Sequence, residues 1–303
     1  MRRAFCDGLL TYSNRNDFIF LTGDLGFRAL EPLRDALGTR FINAGVAEQN
    51  MVSVAAGLAR NGLRPWVYSI APFVYARPFE QIRNDVCLHH LPVVIVGNGG
   101  GYGYGVMGCT HHALEDYGVL LTLSFMEALI PAFDADMPVV IQNLIETRQP
   151  GYLRLGLSEE PKGWEPPPFS GWRKLLSGNA GTVITVGPLA GSHLCRFQEL
   201  PEDQRPNLWA LCRLPLPDLP MELLADIRST SCLVVAEEHV AQGSAGSSLA
   251  VALIHNQCLP RMFRHVTARG YPSGLYGSQS FHRAECHLDA ESILKAVSEG
   301  RSL

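Results

Sequence analysis

The chain has 303 residues, a formal net charge of −4 and eight cysteines. This length accommodates two domains of ordinary size. Lysine and arginine are dispersed along the chain, so the composition gives no indication of binding to nucleic acid or to a membrane surface. No apolar run is long enough to span a bilayer, and the first residues lack the apolar core of a signal peptide. Because the cysteines form no CxxC pair and no metal-like spacing with histidine, we expect reduced thiols in a cytoplasmic protein.

Apolar runs alternate with helical patterns through the first half of the chain. The apolar runs are nearly continuous, as in strands buried on both faces of a parallel sheet, so we predict an α/β fold with helices on both sides. The expected helices span residues 3–13, 78–89 and 114–121, in addition to the helix described below that has Glu48 in its first turn. The expected strands span residues 18–22, 41–43, 65–70, 91–97 and 138–143.

A proline-rich segment without an apolar period, residues 158–171, separates this half from a second α/β unit. Clustered prolines interrupt helices and strands, so this segment is predicted to be a linker. The predicted organisation is a first domain at residues 1–157, the linker at 158–171 and a second domain at 172–303. Each domain is expected to be a three-layer α/β/α unit. In the second domain, strands are expected at residues 182–187, 207–211 and 231–236, and a small-residue helix at 247–254.

Residues 40–59 (RFINAGVAEQNMVSVAAGLA) combine a short strand, a turn at Gly45 and a helix with Glu48 in its first turn. A carboxylate at this position lies near the positive end of the helix dipole, and helix capping alone would account for it. The apolar residues at helical spacing predict a buried stripe, formed by Val46, Met51, Val54, Ala55 and Leu58.

The AEQN sequence around Glu48 resembles the aminopyrimidine-binding domain of the transketolase superfamily, whose members use thiamine diphosphate. The resemblance implies that Glu48 hydrogen-bonds ring nitrogen N1′ of the cofactor and favours the imino form of its 4′-amino group. It extends over nearly the whole chain and implies a pyrimidine-binding domain followed by a transketolase C-terminal-like domain.

Residues 71–84 (APFVYARPFEQIRN) resemble the superfamily segment in which an aromatic residue precedes the pattern R-x-[FY]-[DE]-Q. The resemblance implies that Phe73 stacks on the aminopyrimidine, a contact that supplies apolar area at little ordering cost. Tyr75 is the competing candidate for this contact, and Arg77, the arginine of the pattern, is also expected at the cofactor. Outside the motif, an aromatic residue such as Phe73 is more often part of the core.

Residues 108–116 (GCTHHALED) resemble the run G-x-[ST]-H-Q-x-x-E-D of the same superfamily. The resemblance implies that His111 lies over the thiazolium and donates to substrate oxygens or moves a proton, work that suits an imidazole. His112 stands where the superfamily has glutamine, and we expect it at the substrate without assigning it a step. The role of Cys109 stays open.

Two glycine motifs do not indicate cofactor sites. Residues 103–108 match G-x-G-x-x-G but continue into Cys-Thr-His-His instead of opening a helix after a strand, unlike a dinucleotide-binding fingerprint. Gly23-Asp24 with Asn50 downstream mimics the Gly-Asp-Gly and asparagine with which thiamine enzymes hold Mg²⁺ and diphosphate, but Leu25 stands in place of the last glycine and Asn50 belongs to the AEQN run. No other segment offers this pattern. We therefore expect a separate subunit of the N-terminal transketolase type to hold these groups. Because the superfamily's sites lie between protomers, an α2β2 assembly with self-association of this chain is expected.

The chain departs from the superfamily at positions that recognise sugar phosphates. Leu157 stands where an arginine usually holds the substrate phosphate, and Met107 stands where many members have an aspartate. An apolar side chain cannot replace a bidentate guanidinium clamp. Arg2 matches another phosphate-contacting position. These departures predict a sugar substrate that is not an ordinary pentose or hexose phosphate.

Three functions remain open from the sequence. The leading one is the pyrimidine-binding subunit of a two-chain transketolase-like enzyme that transfers a two-carbon ketol unit between sugar-type substrates. The second is the β subunit of a 2-oxoacid dehydrogenase or decarboxylase, which shares this architecture. The third is a non-catalytic scaffold subunit, which Met107 and Leu157 keep possible.

Overall fold

The computed structural model describes residues 1–26 and 29–301, which form two open sheets flanked by helices. The strands are β1 Phe18–Thr22, β2 Phe41–Asn43, β3 Arg64–Ile70, β4 Val94–Asn98, β5 Glu127–Leu129, β6 Gly151–Leu155, β7 Trp172–Leu176, β8 Thr182–Val186, β9 Asn207–Leu211, β10 Arg213–Leu214, β11 Cys232–Glu237 and β12 Met262–Thr267. The helices are α1 Arg2–Leu10, α2 Glu31–Leu37, α3 Glu48–Arg60, α4 Ala71–Tyr75, α5 Phe79–Gln81, α6 Asp116–Leu120, α7 Met137–Glu146, α8 Leu189–Phe197, α9 Met221–Thr230, α10 Ala245–His255, α11 Gln279–Glu285 and α12 Ala290–Arg301. A π-helical segment at Ile82–Cys87 continues α5, and short 3₁₀ segments lie at Gly38–Arg40, Gly105–Thr110 and Asp134–Asp136.

The two sheets are mostly parallel. The first has the strand order β10-β5-β6-β4-β3-β1-β2, and the second has the order β12-β11-β8-β9-β7. The antiparallel pairs are β10 with β5 and β7 with β9. Strand β10 follows the proline-rich segment in sequence, yet it pairs at the edge of the first sheet. The predicted α/β fold is confirmed, whereas the predicted domain limits stay a prediction.

The segment expected as a strand at residues 138–143 is helical, so this prediction is wrong. It lies within α7, whose buried residues are Met137, Val140, Ile141, Leu144 and Ile145. This spacing of three and four residues places all five on one helix face. The β-branched run suggested a strand, but Pro138 fits the first turn of a helix and packing against α1 decides the outcome.

The stripe predicted on α3 is partly wrong. Val46 precedes the helix and is 77% exposed, and Val54 is 40% exposed. Met51 and Ala55 of the predicted stripe are buried, together with Val52, Ala56 and Ala59, and Leu58 is partly buried against the same core. The helix begins at Glu48, so Val46 lies before its first turn and cannot belong to its apolar face.

One face of the first sheet is packed with large aromatic side chains. Phe5 of α1 lies against Phe20, Trp66 and Tyr68, and its ring stacks on Tyr68 at a centroid distance of 6.0 Å. All four residues are fully buried. Such dense packing fixes the positions of β1 and β3, and the segment described below that contains Phe73 leaves the carboxyl end of β3.

A buried histidine in the second half of the chain predicts that the folded protein loses stability in acid. His193 is fully buried, its Nε2 hydrogen-bonds the Leu288 carbonyl at 2.9 Å, and its Nδ1 has no partner in the described structure. Burial lowers the pKa of His193 to about 4. The unfolded chain therefore binds a proton near pH 6.5 that the folded chain excludes, so stability falls as the pH drops from 6.5 towards 4.

We expect the free energy of unfolding to fall by about 2 kcal/mol from pH 7 to pH 5 through His193 alone. Denaturant unfolding at the two pH values measures this loss. His193→Gln should reduce the loss, whereas His255→Gln at the exposed end of α10 should leave it unchanged. Equal pH dependence of all three proteins would contradict the assignment.

None of the described helices combines the length and the apolar character that crossing a membrane requires.

Candidate active site

The carboxyl ends of β2, β3 and β4 lie at one edge of the first sheet. The segments that leave these strands contain the start of α3, helix α4 and the loop between β4 and α6. Ligands of α/β sheets bind at this edge because several segments leave the sheet there side by side. The residues that the sequence motifs single out therefore converge on one region.

Glu48 is a buried carboxylate held by a cation. It is the first residue of α3 and only 4% exposed. The Arg77 guanidinium donates through Nη1 to both carboxylate oxygens at 3.0 Å, and the Ser69 hydroxyl lies 3.5 Å from Oε1. The positive end of the helix dipole adds to this stabilisation of the negative charge. The carboxylate borders an open cleft of about 660 Å³, which is lined by Val46, Ala47, Glu48, Gln49, Asn50 and Arg77.

Phe73 supplies a flat aromatic surface beside this carboxylate. The Arg77 guanidinium lies 3.9 Å from the centroid of its ring, and the ring of His111 meets it edge-on at 5.2 Å. Phe73 is half-buried. A planar group that stacks on Phe73 can therefore also hydrogen-bond Glu48.

Tyr75, the competing candidate for stacking, lies in the core. It is 6% exposed, and its hydroxyl donates to Glu115 at 3.1 Å. Burial, together with the neighbouring Asp116 and Glu115 carboxylates, raises the pKa of Tyr75. Its position two residues after Phe73 on the short α4 helix turns its ring into the core, so Phe73 and not Tyr75 lies beside Arg77 and Glu48. Stacking of Phe73 on a cofactor ring stays a prediction.

His111 lies next to Phe73, on whose ring Arg77 of the cleft also packs. Its Nδ1 hydrogen-bonds the Thr110 hydroxyl at 2.8 Å, and its ring lies 5.7 Å from that of Tyr104. It is half-buried, and none of its contacts within the described residues involves Nε2. The imidazole is thus oriented through one nitrogen and can offer the other to a substrate.

His112 does not face the cleft, so the expectation that it contacts substrate is corrected. It is 4% exposed, and its Nδ1 and Nε2 hydrogen-bond the Tyr271 hydroxyl and the Gly105 carbonyl, each at 2.8 Å. Burial lowers the pKa of His112. A ring whose two nitrogens are both engaged inside the protein holds the glycine loop against the segment around Tyr271.

Arg2 lies near Tyr68 and Tyr104, at the same edge of the sheet. Its side chain is exposed and lies near the hydroxyls of Tyr68 and Tyr104. Burial raises the pKa of both tyrosines, and the positive charge of Arg2 offsets part of this rise. Asn98 donates to the Tyr104 hydroxyl at 2.7 Å. Arg2 therefore places a cation along the row that runs from Glu48 through Phe73 and His111 to Tyr104.

Arg154 anchors the segment that carries His111, and the sequence motifs did not identify it for this role. It is 4% exposed, donates through Nε to Asp116 at 2.8 Å and through Nη2 to the carbonyls of Ala113 and Glu238, both at 2.9 Å. An arginine within the apolar strand sequence Tyr-Leu-Arg-Leu is the signal that indicates such a buried partner. It connects the first sheet, the histidine loop and the residue that follows β11.

Glu237 is a structural residue at the end of β11. It is fully buried and accepts hydrogen bonds from the backbone amides of Ala245 and Gly246, from Tyr117 and from His265. Burial acts to raise the pKa of Glu237, but the hydrogen bonds from His265 and Tyr117 lower it overall. Each carboxylate oxygen of Glu237 already accepts two hydrogen bonds, so the group has no remaining acceptor capacity for a substrate.

Comparisons with known proteins agree on one family. Residues 11–160 match the family described as "Transketolase, pyrimidine binding domain". One of the subunits of the apulose-4-phosphate transketolase of Phocaeicola vulgatus is 27% identical over 307 residues, which cover 98% of this chain and 96% of that protein. A solved structure described as "Split gene transketolase, inactive beta4 tetramer" superposes with a TM-score of 0.85 and 28% identity, covering 100% of this chain and 98% of the other. The chain belongs to the transketolase family.

Two longer relatives define how much of a transketolase this chain represents. The 1-deoxy-D-xylulose-5-phosphate synthase 2 of Geobacter sulfurreducens is 32% identical over 265 residues, which cover 84% of this chain and 41% of the synthase. The transketolase from Leishmania mexicana shares the fold, with a TM-score of 0.76 at 16% identity, and this chain covers 45% of it. This transketolase chain thus spans less than half of each of these proteins but nearly all of the Phocaeicola vulgatus relative.

Proposed function

We propose that this chain is the pyrimidine-binding subunit of a two-chain transketolase-like enzyme that moves a two-carbon ketol unit from a ketose donor to an aldehyde acceptor. The observation that carries this proposal is the buried Glu48 carboxylate, which borders an open cleft beside the Phe73 ring and His111. The resemblance of nearly the whole chain to a protein that is named as one subunit of a transketolase supports it. We also propose a cytoplasmic location.

The residues at the cleft fit the aminopyrimidine ring of thiamine diphosphate. A planar guanidinium already satisfies both requirements, since it stacks on Phe73 and hydrogen-bonds Glu48. The chemistry that the cofactor supplies when bound is a carbon nucleophile able to accept a ketol unit. In this proposal Glu48 hydrogen-bonds a ring nitrogen, Phe73 stacks on the ring and His111 donates to substrate oxygens.

We propose that a partner subunit holds the cofactor's diphosphate and Mg²⁺. Within residues 1–26 and 29–301, no group of three or more His, Cys, Asp or Glu side chains is arranged to hold a metal ion. The neighbouring structure described as an inactive β4 tetramer supports self-association without activity, and an α2β2 assembly follows when the partner is added. The exposed face of α3, with Ser53, Val54 and Gly57, suits close contact between two copies.

The substrate proposed is a sugar other than an ordinary pentose or hexose phosphate. Leu157 is 59% exposed and offers no charge where the family usually has a phosphate-binding arginine. Arg2 is a cation on the same side as His111 and is proposed to contact the polar end of the substrate. The Phocaeicola vulgatus relative carries the name of a less common sugar phosphate, apulose 4-phosphate, which supports this class.

Reconstitution tests the proposed function. We expect the chain alone to show no ketol transfer and no tight binding of thiamine diphosphate with Mg²⁺ by titration calorimetry, because the diphosphate lacks its ligands. Addition of a diphosphate-binding transketolase subunit should produce turnover. Tight cofactor binding by the chain alone would refute the two-chain arrangement, and efficient turnover of xylulose 5-phosphate with ribose 5-phosphate would refute the substrate class.

The same assay distinguishes the proposed ketol transfer from the reaction of the alternative enzyme. The second candidate is the β subunit of a 2-oxoacid dehydrogenase or decarboxylase, because relatives that are 30% and 32% identical to this chain over the matched residues are named as synthases and not as transketolases. Release of CO₂ from a 2-oxoacid by the reconstituted pair, without transfer from a ketose, would favour that reaction.

A further inference from the structure

Arg77 makes the two contacts that the proposed function assigns to the cofactor ring. It hydrogen-bonds the Glu48 carboxylate and covers the face of Phe73. We propose that, in the free subunit, Arg77 occupies the pyrimidine-ring site as an internal substitute, and that it must leave this site before a cofactor ring can enter. This inference rests on the proposed function.

The chemical match between the guanidinium and an aminopyrimidine is close. Both are planar groups that carry N–H donors in the plane and present a flat face to an aromatic ring. Nη1 of Arg77 lies 3.0 Å from each Glu48 oxygen, while the guanidinium carbon lies 3.9 Å from the Phe73 centroid. Two planar groups cannot share this position, so Arg77 and the ring exclude each other.

The position of Arg77 allows it to leave. Its side chain is 44% exposed, whereas that of Glu48 is 4% exposed. Moving a half-exposed guanidinium into water returns it to a solvent that hydrates it well, at the end of a long flexible side chain. The buried carboxylate, by contrast, needs a replacement donor, since its remaining contact is Ser69 at 3.5 Å. Departure of Arg77 is therefore coupled to arrival of another donor.

This exchange weakens the binding of the ring to the free subunit. Because only the open form accepts a ring, the apparent affinity falls in proportion to the open fraction. The Glu48 carboxylate meanwhile stays paired, which protects the free protein from a buried, uncompensated charge before assembly.

Ring binding by the full chain tests the proposal. The probe is 4-amino-2-methylpyrimidine, which has no diphosphate and needs no partner, and calorimetry or ligand-observed NMR measures its affinity. We expect Arg77→Ala to bind it about tenfold more tightly than the wild-type chain, because the closed form is removed. Arg77→Lys keeps the charge without the planar fork and should give a smaller gain, so it covers the case in which Arg77→Ala folds poorly.

Arg60→Ala is the matched control. Arg60 lies exposed at the opposite end of α3, about 18 Å from Glu48 by the helical rise, and carries the same charge. We expect Arg60→Ala to bind 4-amino-2-methylpyrimidine with the same affinity as the wild-type chain. Methylguanidinium should compete with the ring for Arg77→Ala, since it restores the missing group.

The outcomes separate this inference from the proposed function. One outcome overturns only the proposal that Arg77 occupies the ring site. In that outcome Arg77→Ala and Arg77→Lys bind the ring no more tightly than wild type at millimolar ring concentrations, while Glu48→Gln still abolishes turnover of the reconstituted enzyme. If Glu48→Gln leaves that turnover intact, the proposed function itself fails. If Arg77→Ala binds the ring more tightly and an added Glu48→Gln substitution removes this gain, both the proposed function and the role of Arg77 are supported.

Discussion

Glu48→Gln is expected to reduce ketol transfer by the reconstituted enzyme by a factor of about 10² to 10⁴, the range in which acid–base assistance contributes to catalysis. The substitution keeps the size of the side chain and its hydrogen-bonding oxygen but removes the negative charge. That charge lies buried at the start of α3 and faces the cleft beside Phe73. Steady-state rates at saturating cofactor measure the loss.

The control for this variant is Glu80→Gln, which makes the same chemical change at an exposed position of α5. It should turn over at the wild-type rate. Calorimetry of the assembled pair should show that Glu48→Gln still binds the cofactor's diphosphate through the partner. Full activity of Glu48→Gln would indicate that the chain acts as a scaffold and that the catalytic acid lies elsewhere.

Arg154→Ala is expected to destabilise the protein by about 3–5 kcal/mol, the cost of breaking a buried ion pair by removing one partner. Arg154 and Asp116 have side-chain exposures of 5% and 0%. Without the guanidinium, Asp116 keeps only the Tyr152 hydroxyl at 2.7 Å, and the carbonyls of Ala113 and Glu238 lose their donor. Denaturant unfolding of the free chain measures the change.

Arg213→Ala provides the comparison, because Arg213 pairs with Glu127 at 2.7 Å while its side chain is 51% exposed. An exposed pair of this kind contributes about 0–1 kcal/mol. Arg154→Ala should also lower turnover more than the loss of folded protein explains, since the guanidinium holds the loop that presents His111. A stability change of Arg154→Ala no larger than that of Arg213→Ala would show that the pair does not hold the loop.

Most of the fold could be predicted from short-range patterns of apolar residues in the sequence. Strands β1 and β9 have the limits expected from their apolar runs, because a run buried on both faces needs no information from elsewhere in the chain. Strand β2 also has its expected limits, although it is a half-buried strand at the edge of the sheet. The strand expected at residues 138–143 failed since β-branched residues also occupy a helix whose face packs on α1. Strand β5 was not predicted, because it has three residues and is completed by pairing with β6 and β10.

The sequence by itself determined the family and the position of Glu48 at the start of a helix, since both depend on contiguous motifs. The contact between Phe73 and His111 joins two separate motifs, so the tertiary structure decided it. The tertiary structure decided which groups face the cleft. Arg77 reaches Glu48 across 29 residues, Arg154 reaches Ala113 across 41 and Tyr271 reaches His112 across 159. Hydrogen-bond partners this far apart are chosen by the packing of whole segments, and a local pattern contains no information about that packing.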